Sequence, residues 1–142
     1  MTALKLKQAG LVWRPALLDC FALPGRDLDG QVFVISDMHA TIDQLQGRQV
    51  IAFQGASEWA LDNLVTEAAV WLPSESQLRQ ALQSELLAGG RPEVNLLSGI
   101  DTCRCTIVWR GAQVSFSNKD AGEAYAAALL HVIRPVGPGW TA

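Results

Sequence analysis

The stretch Cys103-Arg-Cys-Thr-Ile-Val-Trp109, Arg110-Gly-Ala112, Gln113-Val-Ser-Phe-Ser117 decides the reading of the fold. Apolar and polar residues alternate on both sides of a glycine turn, the pattern of a β-hairpin. On the first strand Cys103, Cys105, Ile107 and Trp109 share one face, and Arg104, Thr106 and Val108 share the other. The first set is expected to face a core. Directly downstream, Asp120 with Glu123 makes a capping-box-like start. Ala121, Ala124, Tyr125, Ala128, Leu129, Val132 and Ile133 then recur at helical spacing before Pro135. Small alanines on that stripe let a helix lie close to a sheet. A hairpin followed by an amphipathic helix puts the chain in the α+β class.

Working upstream, Ser74 with Gln77 is a capping box just after Pro73, and Leu78, Ala81, Leu82 and Leu86 follow at helical spacing. This predicts a helix over 75–88, stopped at Gly89-Gly90. Further back, 31–36 reads as a central strand, apolar on both faces. Strands over 40–45 and 50–53 follow, separated by the turns Asp37-Met38 and Gln46-Gly47. Connections this short require antiparallel pairing. Asp19–Leu23 and 69–72 read as short strands, and Ser57 is a candidate cap for a helix through Leu64. Residues 2–9 fit a helix stopped at Gly10, although Leu4-Lys5-Leu6-Lys7 also alternates like a strand. The expected architecture is an antiparallel sheet of five or six strands, with the helices 75–88 and 120–134 packed on one face. One domain is expected over 1–142, with 134–142 a loose C-terminal tail.

Composition bounds the function. The 142 residues are 49% apolar and 18% charged, enough for a core and unlike a disordered chain. The longest apolar run, Ala124–Leu130, is far short of the roughly 20 residues that span a bilayer. The first residues lack the apolar stretch of a signal peptide. The net charge of -3 lacks the basic footprint of a nucleic-acid binder. Charge is unevenly placed: nine acids fall between Asp19 and Glu75, against Arg26 and Arg48 alone among bases. These acids either stay as solvated loop carboxylates or steer a basic partner. Cys20, Cys103 and Cys105 are an odd set without export features, which points to free thiols and a cytoplasmic location. Their spacing is not that of a structural zinc site, so neither metal nor cofactor is expected.

No phosphate-binding glycine loop, nucleophile elbow or H-E-x-x-H motif is present. The best catalytic pair is Asp37 with His39 at a strand end, where a carboxylate can fix the imidazole tautomer. Asp27, Asp29 and Asp43 stand near it in sequence. The plainer reading is a polar turn carrying an exposed histidine. His131 flanks an apolar stripe and is expected at the edge of the core. Trp71 and Trp109 sit in strand-like apolar runs. Trp13, Trp59 and Trp140 sit in less regular segments, where tryptophan is an interface residue as well as a core one. With Asp27 and Asp29 they form the expected partner-binding set.

Leu11-Val-Trp13, Pro24-Gly-Arg-Asp-Leu-Asp29, Val32-Phe-Val-Ile-Ser-Asp-Met38, Trp59-Ala-Leu-Asp62, Trp71-Leu-Pro-Ser-Glu-Ser-Gln-Leu-Arg79 and Glu123-Ala-Tyr-Ala-Ala-Ala-Leu-Leu130 together resemble a set of short bacterial proteins of unknown function, some labelled pilus-assembly proteins. The layout also resembles small phage-associated α/β sandwich domains. The resemblance implies no catalytic residues. The expected function is a non-catalytic binding or adaptor module, a homodimer that takes a basic protein surface rather than nucleic acid or membrane. Its rival is a small hydrolase-like or metal-assisted enzyme built on Asp37 and His39.

Overall fold

A computed structural model describes residues 2–25, 30–36, 40–53 and 63–133. The chain divides into two compact units, Met1–Leu11 with Ser74–Ala142, and Val12–Pro73. The first unit is discontinuous in sequence, and the second is inserted between its two segments.

The discontinuous unit contains α1 (Thr2–Gln8), and the inserted unit follows with β1 (Cys20–Ala22), β2 (Phe33–Val34), β3 (Ala40–Leu45), β4 (Arg48–Phe53), β5 (Asn63–Val65) and β6 (Val70–Leu72). The chain then returns to the discontinuous unit as α2 (Glu75–Leu87), β7 (Asn95–Ser98), β8 (Cys103–Trp109), β9 (Ala112–Asn118) and α3 (Ala121–Ile133). The α+β class is as expected. The arrangement differs from a single sheet: the strands form three three-stranded sheets, β2-β1-β6, β3-β4-β5 and β7-β8-β9, with antiparallel pairing throughout.

Local signals explain the discontinuous unit. The Ser74 hydroxyl accepts from the Gln77 N–H at 3.2 Å, and the Gln77 side chain accepts from the Ser74 N–H at 2.9 Å, closing the capping box. Leu78, Leu82 and Leu86 are buried along α2. Arg110 and Gly111 both have positive φ (51° and 80°), the two-residue turn whose twist suits a hairpin. It sets the register Trp109↔Ala112 through Cys103↔Asn118. Cys103, Cys105 and Ile107 are buried, and Trp109 is half-buried. α1 ends where Leu11 N–H reaches the Leu6 carbonyl (3.0 Å) and Gly10 N–H reaches Lys7 (3.1 Å), with Gly10 at φ 106°. This is the Schellman stop, and Leu6 and Leu11 pack into the same core. The Thr2 hydroxyl donates to Glu123 at 2.7 Å and ties α1 to α3.

In the inserted unit Phe21, Leu23, Ile35, Ile51 and Ala69 form one core, joined by Trp13, Phe33 and Ile42. The stretch 31–36 is not a central strand. Only Phe33–Val34 is strand, at the edge of its sheet, with Val32 61% and Val34 42% exposed. Neighbours paired from elsewhere, not apolarity, decide which strand is central. Asn63 and Leu64, expected in a helix capped by Ser57, belong to β5; Ser57 itself lies outside the described residues, as does the tail 134–142.

Candidate partner-binding site

Of the expected partner-binding residues, Trp13 is described, and it is half-buried on the core of the inserted unit. Its ring lies 6.5 Å from Trp71 and nearly parallel to it, and 5.7 Å from Phe21, which in turn stacks 5.4 Å from Phe33. The row Phe33–Phe21–Trp13–Trp71 spans the strands β2, β1 and β6. Trp13 reaches its place because its indole N–H donates to the Asp19 carboxylate at 2.9 Å. Asp19 is 5% exposed, and the same oxygen accepts the Ala16 N–H at 3.1 Å. One acid of the acidic block is therefore an internal acceptor rather than a surface charge, since a buried carboxylate must be hydrogen-bonded. Asp27, Asp29, Asp37, His39, Trp59 and Trp140 lie outside the described residues. Asp43 stands on β3 opposite Val50.

Asp19 also closes a turn that the sequence reading missed. Its N–H donates to the Ala16 carbonyl at 3.1 Å, leaving Leu17 and Leu18 at the corner, 57% and 71% exposed. Leu18 has φ 71°, the left-handed region that a leucine enters at a cost. Pro15 and Asp19, both of turn-favouring type, were the available signal, whereas Leu17-Leu18 between them carries none. Leu18→Gly is expected to raise stability by about 1 kcal/mol, because it relieves strain and gives up little burial. A urea midpoint that falls instead would show that the leucine side chain contributes to folding.

Among the described residues no three His, Cys, Asp or Glu gather as metal ligands. His131 is exposed, with its ring 5.4 Å from Phe116 at the side of α3, rather than packed at the core edge. A cleft of about 340 Å³ is lined by Arg91, Glu93, Asn95, Thr106 and Gln113 among others.

The shifted groups are in the core. Burial pushes the Cys105 thiol from its ordinary value of 9.0 up to about 11, and burial followed by the neighbouring Cys105 pushes Tyr125 up. Both shifts favour neutral, inert side chains. Cys20, Cys103 and Cys105 are free thiols. Because Cys105 holds its proton more tightly when folded, its contribution is complete below pH 9 and is lost as pH rises through about 11. The expected loss across that window is roughly 2–3 kcal/mol, absent in Cys105→Ala. Urea titrations of both proteins at pH 8 and 11 check it, and equal pH dependence in the two would refute the assignment.

Neither a family model, nor a curated protein, nor a solved structure matches the chain, so its own residues carry every functional reading.

Proposed function

We propose that the chain is a non-catalytic binding module of the cytoplasm, working as a homodimer, whose inserted unit takes a protein surface rich in Lys or Arg. The observation that carries this reading is the division of charge between the units. Val12–Pro73 holds eight acids and three bases, whereas the remainder holds six acids and eight bases. Burial of Asp19 removes one acid from the surface, and Glu67 pairs with Arg48 at 3.7 Å with both side chains largely exposed. Excess acid on one unit attracts a cationic surface and repels nucleic acid. The three free thiols fit a reducing compartment.

The test is a titration of the labelled protein with a lysine-rich peptide, followed by backbone amide shifts at two salt concentrations. Shifts are expected within 12–73. They should vanish as the screening length falls from about 10 Å at 0.1 M to 3 Å at 1 M salt. Shifts confined to 74–133, or duplex DNA bound at about 0.2 M salt, would overturn the reading.

A further inference from the structure

Sheet edges offer unpaired backbone groups, and stable proteins guard them with charge, proline or short length. The three sheets present six edge strands. β2, β5 and β6 have two or three residues each, β7 has four, and β3 carries Asp43. β9 differs from all of them. It is seven residues long, Ala-Gln-Val-Ser-Phe-Ser-Asn, with no charge, proline or glycine. Among the described residues β8 is its one strand neighbour.

The hairpin turn settles which backbone groups of β9 point outward. The two-residue turn makes Trp109↔Ala112 a hydrogen-bonded pair, so Ala112, Val114, Phe116 and Asn118 bond to β8. The N–H and C=O groups of Gln113, Ser115 and Ser117 therefore face away from it, and all three residues are exposed. We propose that β9 pairs with β9 of a second copy of this chain, antiparallel, about a two-fold axis at Ser115.

That register matches every outward group. Ser115 exchanges backbone hydrogen bonds with Ser115 of the other copy, and Gln113 and Ser117 bond each other across the axis in both directions. On the sheet face that packs against the helices, Val114 meets Phe116 of the other copy, and both residues are only partly buried in one chain. On the opposite face Gln113, Ser115 and Ser117 meet, all small or neutral. On the axis Ser115 meets Ser115 of the other copy, where a charge would face its like; off the axis Gln113 meets Ser117 and Val114 meets Phe116, where a charge would be set against a neutral or apolar partner. Freedom from charge is thus what self-pairing requires. The Ser115 hydroxyl meanwhile lies 2.9 Å from the Thr106 hydroxyl of its own sheet. The result is a continuous six-stranded sheet with isologous symmetry.

This inference rests on the homodimer reading above and supplies its interface. Sedimentation of the full chain over about 1–300 µM is expected to show twice the 15.3 kDa mass. Hydrogen exchange is expected to slow at Gln113, Ser115 and Ser117 by on the order of a hundredfold over an unpaired edge. Ser115→Lys sets two cations across the axis. Ser115→Pro removes an outward N–H while sparing the bonds to β8. Both should be monomeric with an unchanged circular dichroism spectrum, and their Gln113 and Ser117 amides should exchange freely. Leu97→Lys on β7 should remain dimeric. A monomer at every concentration overturns both the interface and the homodimer reading. A dimer that survives Ser115→Lys and Ser115→Pro, or one with fast exchange at Gln113, Ser115 and Ser117, overturns the β9 interface and leaves the homodimer standing.

Discussion

Leu82→Ala is expected to lower stability by about 3–5 kcal/mol, near the upper end for a buried leucine. Leu82 is fully buried on α2, in one core with Leu78, Leu86, Cys105, Ile107, Ala124, Ala128 and Leu129. The cost of a truncation depends on how far the surroundings collapse into the space left behind. Here that collapse is limited. Ala124 and Ala128 have no χ angle to adjust, Cys105 is paired on both sides by β7 and β9, and Ile107 is held by its pairing with Val114 of β9. The hole stays open, and the transfer and cavity terms both count. Leu82→Met, which nearly conserves volume, should cost less than about 1.5 kcal/mol. Urea unfolding followed by far-ultraviolet circular dichroism measures both. Equal costs for the two variants would show that side-chain volume at this position does not hold α2 and α3 together.

The parts of the fold legible in the sequence are those whose cause is local. Ser74 and Gln77 bond each other across one helical turn, Arg110-Gly111 closes its own hairpin, and the stripe from Ala121 to Ile133 needs only helical periodicity. The parts that were not legible depend on distant pairing. Phe21 lies opposite both Phe33 and Trp71, and nothing within three residues of Phe21 says which segments will flank it. Apolarity signals burial and marks 31–36 as central, yet Val32 and Val34 are exposed at an edge. β7 is Asn-Leu-Leu-Ser, with Leu96 half-buried and Leu97 68% exposed; pairing with β8, not propensity, makes it a strand. The separation into two units has no distinct local cause, because single residues, Gly10 and Pro73, and not a glycine- or proline-rich linker, stand at the crossings. α1 joins the distant α3 through Thr2 and Glu123.

The candidate site divides in the same way. Tryptophan enrichment pointed to Trp13, but the sequence does not disclose that Asp19, six residues on, is the buried acceptor that holds it. Composition pointed to the acidic block, and it coincides with a compact unit only because the chain folds back at Val12 and Pro73. A surface acid and an internal acceptor look alike in a one-dimensional charge count. Their difference is set by hydrogen-bond partners such as the Trp13 indole and the Ala16 amide.

Phe21→Ala is expected to cost about 3–5 kcal/mol and to disorder the aromatic row of the inserted unit. Phe21 is fully buried at the middle of β1, itself the central strand of its sheet. Its ring supports Trp13 on one side and Phe33 on the other, so truncation removes two aromatic contacts worth about 0.5–1.5 kcal/mol each beyond the lost burial. The core around it is small, with Leu23, Ile35, Ile51 and Ala69 as the other buried members, and a small core has little stability to spare. Trp13 would keep its bond to Asp19 but lose the surface that orients its ring, so the near-ultraviolet circular dichroism of Trp13 and Trp71 should collapse. Phe21→Leu, which still fills most of the space, should retain that signal and lose less stability. Persistence of the near-ultraviolet signal in Phe21→Ala, with a urea midpoint close to wild type, would mean that Trp13 is oriented by Asp19 alone. Trp13 would then be free to act at the surface as a partner-binding residue rather than as part of the core.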